Sequence, residues 1–226
     1  MRLILFDIDN TLLKSPKSHN LAFVKALSEV FQQPFALEDV KRGNTPGTTD
    51  PEILLFALKH KGVPQEEIKK KWPHCLQRVV AFFSSLIEKE DLITLPGVSE
   101  LLPALKSQGN ILGLVTGNLE PIAWLKLKKA GIAHYFSFGA FGSDNKDRNI
   151  LTQLALKRAE RYSQKIPLSS VYLVGDTTRD VMAGKKAGIK TIAVATGNVD
   201  RKTLENTGAD LVLDNLANVQ TILDWI

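Results

Sequence analysis

Short runs of branched apolar residues alternate with longer stretches in which apolar positions recur every three or four residues, except in one part of the chain. The first run, Leu3-Ile4-Leu5-Phe6, is uninterrupted and reads as a strand buried on both faces. It ends abruptly in Asp7 and Asp9, two carboxylates one residue apart. Residues 18–90 then break the alternation. Leu21, Val24, Leu27 and Val30-Phe31 fall at helical spacing. So do Ile53, Leu54, Phe56, Ala57 and Leu58, in a helix introduced by Asp50-Pro51, a capping residue with proline in the first turn. A longer helical segment covers about 65–89, with a break or kink expected at Pro73 and Lys69-Lys70-Lys71 on a solvated face. No strand pattern occurs in this region, which reads as a helical insertion of roughly 75 residues.

Alternation resumes after Leu95-Pro96-Gly97. The patterns predict strands at 111–115, near 135–140, and at 171–174, 191–194 and 211–213. Helices are predicted at 98–107, 121–130, 149–161, from about 180 through 187, near 200–206 and at 216–225. Short connections between alternating strands and helices imply a parallel sheet covered on both faces. The fold class is therefore α/β, a Rossmann-like doubly wound sheet built from residues 1–15 and 93–226, with residues 16–92 inserted as a helical domain.

Candidate chemistry gathers where strands end. Ligands of open parallel sheets bind just beyond the carboxyl ends of the strands, which is where Asp7 and Asp9 fall. One carboxylate can attack phosphorus while a second protonates the leaving oxygen and then activates water. Two like charges so close also invite a divalent cation. Thr116-Gly117-Asn118 ends a later strand just before a helix, where a hydroxyl and free N–H groups make an anion site. Gly175-Asp176-Thr177-Thr178-Arg179-Asp180 ends another, with two acids four residues apart, suited to Mg²⁺. Each motif also has a plainer reading. Asp pairs form turns, Asn118 can cap its helix, and Asp180 can complement a helix dipole. It is their joint occurrence in this chain order that favours chemistry.

The string Asp7-Ile8-Asp9-Asn10-Thr11, followed by Thr116 and then by Asp176 and Asp180, resembles the motif series of the haloacid dehalogenase superfamily. The resemblance implies that Asp7 is the nucleophile, Asp9 the general acid/base, and Thr116 a phosphoryl ligand, with Gly117 and Asn118 beside it. It implies Mg²⁺ held by Asp7, Asp176, the main-chain carbonyl of Asp9 and, in support, Asp180. The family's lysine-proline pair is missing between Thr116 and Asp176. Lys146 and Arg148 are the candidates for that cation, and Arg148 is favoured because it adjoins a helix start and a guanidinium can grip phosphate and carboxylate together. Asp9 argues against dehalogenation, whose halide leaving group needs no proton. The insertion resembles the family's α-helical cap domain. Its loop 42–49 offers Arg42, Thr45 and Thr48 to a substrate. The phosphoglycolate phosphatase subgroup is the nearest in kind, which implies a small phosphorylated substrate. A phosphomutase is the close rival; a silent phospho-ligand binder and a receiver domain are more distant ones.

Composition narrows this a little. The chain of 226 residues is 44% hydrophobic and 23% charged, ordinary for a globular protein, with a formal net charge of +5. The charge suits anionic ligands, and no arginine-rich arm points to nucleic acid. Cys75 is the single cysteine, which excludes an internal disulfide and suits a reducing compartment. No apolar run approaches the roughly 18 residues of a membrane helix, and the chain opens on a strand rather than a leader. A cytoplasmic monomer or homodimer is the expectation.

Overall fold

The computed structural model describes residues 1–163 and 166–226. The strands are β1 (Leu3–Phe6), β2 (Ile111–Val115), β3 (Phe138–Ala140), β4 (Val171–Gly175), β5 (Lys190–Val194) and β6 (Leu211–Leu213). The inserted region holds α1 (Lys17–Phe31), α2 (Leu37–Lys41), α3 (Asp50–His60) and α4 (Gln65–Ile87). The rest of the chain adds α5 (Val98–Ser107), α6 (Glu120–Lys129), α7 (Arg148–Ala159), α8 (Thr178–Ala187), α9 (Arg201–Asn206) and α10 (Val219–Trp225).

All strands are parallel and lie in the order β3-β2-β1-β4-β5-β6. β1 is central, with Leu3 opposite both Ile111 and Val171, and Phe6 opposite both Leu114 and Val174. Its uninterrupted apolar run follows from that position. Ile4 and Phe6 pack against α5, α6 and α10, while Leu3 and Leu5 pack against α7 and α8. The chain winds outward one way from β1 to β3 and the other way from β4 to β6. The order therefore reverses between β1 and β4, and a crevice opens beyond Phe6 and Gly175.

The insertion has its own apolar cluster, which includes Phe23, Leu27, Leu54, Leu58, Val79 and Phe83. α4 runs unbroken through Pro73, where a break or kink was expected. A mid-helix proline costs about 3 kcal/mol. Here Ile68, Cys75, Val79, Phe83 and Ile87 are buried on either side of it, so packing over the whole length holds the helix together. α2 is an element that the apolar spacing did not announce. The two connections to the insertion run side by side, Lys14 N–H donating to Ile93 O at 3.0 Å and Leu95 N–H to Leu12 O at 2.9 Å. α6 lies between the layers: Ile122 joins the insertion's cluster, whereas Ala123 and Leu127 join the sheet's. No helix of the described residues is long and apolar enough to cross a membrane.

Gly97 opens α5 at φ 86°, and a Cβ there would lie 1.9 Å from Leu216 O. Gly62 has φ 72° with nothing within 4 Å of its would-be Cβ. Urea denaturation should therefore separate the two: Gly62→Ala should cost about 1 kcal/mol for the left-handed backbone alone, and Gly97→Ala clearly more.

Candidate active site

Asp7 continues β1 by one hydrogen bond, its N–H donating to Val174 O at 2.9 Å, so its carboxylate stands at the mouth of the crevice. Asp176 follows β4 directly, and Asp180 returns from the first turn of α8. Carboxylate oxygens of Asp7, Asp176 and Asp180 all lie within 4.8 Å of one another, and all three residues are buried. Arg148, the first residue of α7, enters the same space. Its Nη1 lies 3.2 Å from Asp7 Oδ1 and donates to Val115 O at 2.8 Å, and its Nε lies 3.3 Å from Asp180 Oδ1. Asp180 Oδ2 accepts from the Thr177 N–H at 3.1 Å and from the Thr177 hydroxyl at 2.5 Å. Asp180 thus caps its helix with one oxygen and faces the acids with the other.

Three buried carboxylates face one guanidinium, and their protons respond. Burial, partly offset by Arg148 and reinforced by Asp180 and Asp9, pushes Asp7 up to about 7. Burial together with Asp7 and Asp180, against Arg148, pushes Asp176 up to about 8. Burial opposes the charge on Arg148, but Asp180 and Asp7 outweigh it and raise its pKa. Asp180 Oδ1 accepts no hydrogen bond, a costly state for a buried oxygen unless something else binds it. An all-oxygen donor set with an orphaned carboxylate oxygen fits a hard divalent cation.

Asp9 points elsewhere. Both its oxygens meet Lys126 Nζ, at 2.7 and 2.6 Å, and Oδ2 also accepts from Asn118 Nδ2 at 2.8 Å. Lys126 is fully buried on α6. It donates as well to Asn118 Oδ1 at 2.9 Å and reaches His19 Nδ1 at 3.1 Å. That contact assigns the Nε2–H tautomer to His19, whose Nε2 lies 3.2 Å from Asp50 Oδ2. Asp50 Oδ2 also accepts the Leu119 N–H at 2.8 Å, while the Asp50 N–H donates to Gly117 O at 2.8 Å. Burial raises the Asp9 pKa, but the charge of Lys126 and the hydrogen bonds from Lys126 and Asn118 more than offset it and hold it down to about 2.

Lys126, His19 and Asp50 were not foreseen as site residues, yet two carried a signal. Lys126 falls four residues after Ile122 and three after Ala123, on the buried stripe of its helix. His19 stands three and four before Ala22 and Phe23 on theirs. A polar residue on an apolar stripe needs a buried partner. Asp50 was expected only as a cap. It is the first residue of α3, with Thr49 at the cap position, and its carboxylate reaches across to the start of α6 instead.

The remaining candidates divide. Thr116 is buried beside Asp7, and its hydroxyl accepts the Asn118 N–H at 3.3 Å. Asn118 braces Asp9 rather than capping α6. Gly117 is pressed against the insertion, where a Cβ would lie 3.0 Å from Thr48 O. These residues line a cleft of about 350 Å³ together with Asp7, Asp9, Asp176, Arg148 and Thr45. Thr45 pairs its hydroxyl with that of Thr48 at 2.7 Å. Arg42 lies outside the cleft, with Nη1 2.7 Å from His60 Nε2. Lys146 is exposed, while Arg148 is buried among the acids. Cys75 is buried in the insertion, and burial pushes its thiol up to about 12, which leaves no thiolate for nucleophilic work.

The chain is similar to known proteins in both sequence and fold. Over 217 residues the chain is 27% identical to a phosphoglycolate phosphatase of Pseudomonas fluorescens (strain Pf0-1), covering 95% of this chain and 77% of that one. It is 28% identical over 224 residues to a phosphoglycolate phosphatase of Aquifex aeolicus, covering 99% and 97%. The crystal structure of CbbY from Rhodobacter sphaeroides in complex with phosphate superposes with a TM-score of 0.77 at 22% identity, over 97% of this chain and 96% of that one. The family profile described as haloacid dehalogenase-like hydrolase matches residues 4–194, most of the chain, and the protein belongs to that family.

Proposed function

We propose that the protein is a Mg²⁺-dependent phosphatase that hydrolyses a small phosphomonoester through an aspartyl-phosphate on Asp7. The observation that carries this reading is the convergence of Asp7, Asp176, Asp180 and Arg148 at the switch point, with an ionised Asp9 held beside them by a buried lysine. Curated relatives named phosphoglycolate phosphatases support phosphomonoester hydrolysis as the reaction class.

In this reading Asp7 attacks phosphorus and the ester oxygen leaves as the alcohol, with a proton supplied by Asp9. Asp9 then takes a proton from water as the water oxygen attacks phosphorus, the bond from Asp7 to phosphorus breaks, and inorganic phosphate and the free Asp7 carboxylate result. Lys126 and Asn118 hold Asp9 ionised, ready for the second step. A phosphoryl dianion beside Asp9 raises its proton affinity, which serves the first. Arg148, Thr116 and N–H groups of the 116–118 loop are the phosphoryl ligands. Mg²⁺, held by Asp7 and Asp176 with Asp180 in support and by the Asp9 carbonyl that the family resemblance implies, would neutralise the crowded acids and the phosphoryl oxygens. The helical insertion acts as a cap that keeps bulk water from the acyl phosphate. The reading includes a cytoplasmic setting, which a chain with one buried cysteine suits.

Phosphate release from a panel of small phosphomonoesters with Mg²⁺ tests this directly. Asp7→Asn should abolish turnover, and Asp9→Asn should lower kcat by about 100-fold or more, general acid–base catalysis being worth about 10² to 10⁴. Release that persists undiminished in Asp7→Asn would sink the nucleophile assignment.

Lys126→Met should leave Asp9 without its cation. Its pKa then rises, so the acidic limb of the kcat–pH profile should move upward by at least one pH unit, about 1.4 kcal/mol of lost preference for the ionised form. An unmoved limb would show that Lys126 does not control Asp9.

A third expectation concerns stability. A carboxyl whose pKa is raised by folding favours the folded state while protonated, so its contribution is complete below the unfolded value and is lost as pH rises through the folded one. With Asp7 near 7 and Asp176 near 8, the chelator-treated protein should be less resistant to urea at pH 8.5 than at pH 6. Mg²⁺ should close most of that gap. Asp9 acts in the opposite sense, its contribution being present above about 4 and fading toward 2.

A further inference from the structure

We propose that the cleft accepts a single anionic group, the phosphoryl group at Asp7, and that the remainder of the substrate is a neutral, hydroxyl-bearing alcohol such as a polyol or sugar. This rests on the phosphatase reading and names the substrate class within it. It sets this chain apart from an enzyme whose substrate carries a carboxylate or a second phosphate.

The argument begins with the helix N-termini that the insertion brings to the cleft. Such termini are ready anion sites, because their first N–H groups are free and the helix dipole is positive there. Both are already filled by the chain itself. At the start of α1, the N–H groups of Lys17 and Ser18 donate to Glu90 at 2.8 and 2.9 Å. At the start of α3, Glu52 Oε2 accepts the Thr49 N–H at 3.0 Å and the Thr49 hydroxyl at 3.1 Å, and the Asp50 N–H is committed to Gly117 O. A substrate carboxylate arriving at either terminus would meet a carboxylate in place.

The cations are committed as well. Arg42, the arginine of the loop over the cleft, is turned to His60. Arg179 lies 3.5 Å from Glu52 and donates to Gly47 O. Arg148 is held by Asp7 and Asp180 at the phosphoryl position. Lys17 is the exception: among the described residues it is the one lysine or arginine that the insertion contributes to the lining, and it is exposed, so water and salt screen its charge.

Against these stand the carboxylates of Asp7, Asp50 and Asp176 in the same lining, with that of Asp9 already matched by Lys126. One divalent cation and one phosphoryl group are compatible with that balance. A further negative charge would face net repulsion and unpaired burial. What the outer cleft does offer is neutral: Asn20, Asn44, Thr45 and Thr48, with Asn198 from the core side. Asn44 Nδ2 lies 3.5 Å from Asn20 Oδ1, and the two threonine hydroxyls pair at 2.7 Å. Amides and hydroxyls of this kind can exchange partners with substrate hydroxyls, serving as both donor and acceptor. A site built from hydroxyl partners discriminates by leaving groups unpaired when the wrong ligand binds.

The test compares kcat/KM of the full chain with Mg²⁺ for glycerol 3-phosphate and a hexose monophosphate against phosphoglycolate and a hexose bisphosphate, with p-nitrophenyl phosphate as a check on turnover. The neutral-alcohol esters should be favoured at least tenfold over both doubly anionic compounds. Asn44→Lys, which adds a cation to the outer cleft, should raise kcat/KM for phosphoglycolate at least fivefold and narrow the ratio. Equal or better turnover of phosphoglycolate or of the bisphosphate by the wild-type chain would overturn the proposal. If no ester, p-nitrophenyl phosphate included, releases phosphate, the phosphatase reading fails. Calorimetric titration of glycerol 3-phosphate and phosphoglycolate into the Mg²⁺-loaded protein then decides the question of charge. Tighter binding of the glycerol ester supports the single-anion cleft; tighter or equal binding of phosphoglycolate, or binding of neither, overturns it.

Discussion

The arrangement depends on like charges forced together in a space with little water. Asp7 and Asp176 leave adjacent strands whose register is fixed by β1–β4 pairing, and Asp180 cannot move without undoing the cap of α8. The backbone thus sets the carboxylate spacing before any ligand arrives. One guanidinium, Arg148, shares its charge among them without neutralising the group, and Asp7 and Asp176 hold protons into the neutral range in consequence. A site in this condition stores electrostatic cost, which a bound divalent cation would relieve.

Asp9 shows how the same residue type, two positions on, is given the opposite character. Its carboxylate is moved out of the acidic cluster and paired with Lys126, which is fully buried and bonded to three side chains. Two aspartates on one strand end therefore differ in proton affinity by environment alone, the separation that acid–base chemistry at one centre requires. The pairing also ties the layers together. From Asp9 the bonded chain runs through Lys126 and His19 to Asp50 and back to the Leu119 N–H, so the insertion and the loop at 117–119 share one polar network. Any change in how the insertion sits on the core must pass through groups that contact Asp9.

The fold was largely legible because the signals that specify it are local. An unbroken apolar tetrad marks a strand covered on both faces, and the alternation of strands and helices admits few topologies. Pro73 is the instructive exception. The local rule against a mid-helix proline was overridden by burial in the insertion's apolar cluster on both sides of it, which sequence spacing alone does not weigh. The site divides along the same line. Asp7, Thr116, Asp176 and Asp180 were legible because each stands next to a strand end or in a first helical turn, where local sequence dictates position. Lys126 and His19 were not, because a lone polar residue on an apolar stripe announces only that it needs a partner.

The sequence by itself therefore determined the sheet, its helical covering, the insertion and the acids at the strand ends, since each follows from periodicity or from chain position. Only the tertiary structure decided which cation meets which acid. Arg148 rather than Lys146 reaches Asp7, Lys126 claims Asp9, Arg42 turns away to His60, and Glu52 and Glu90 fill the helix ends of the insertion. These pairings join residues distant in the chain, and a charge chooses its partner by distance and burial, quantities that exist only once the chain has folded.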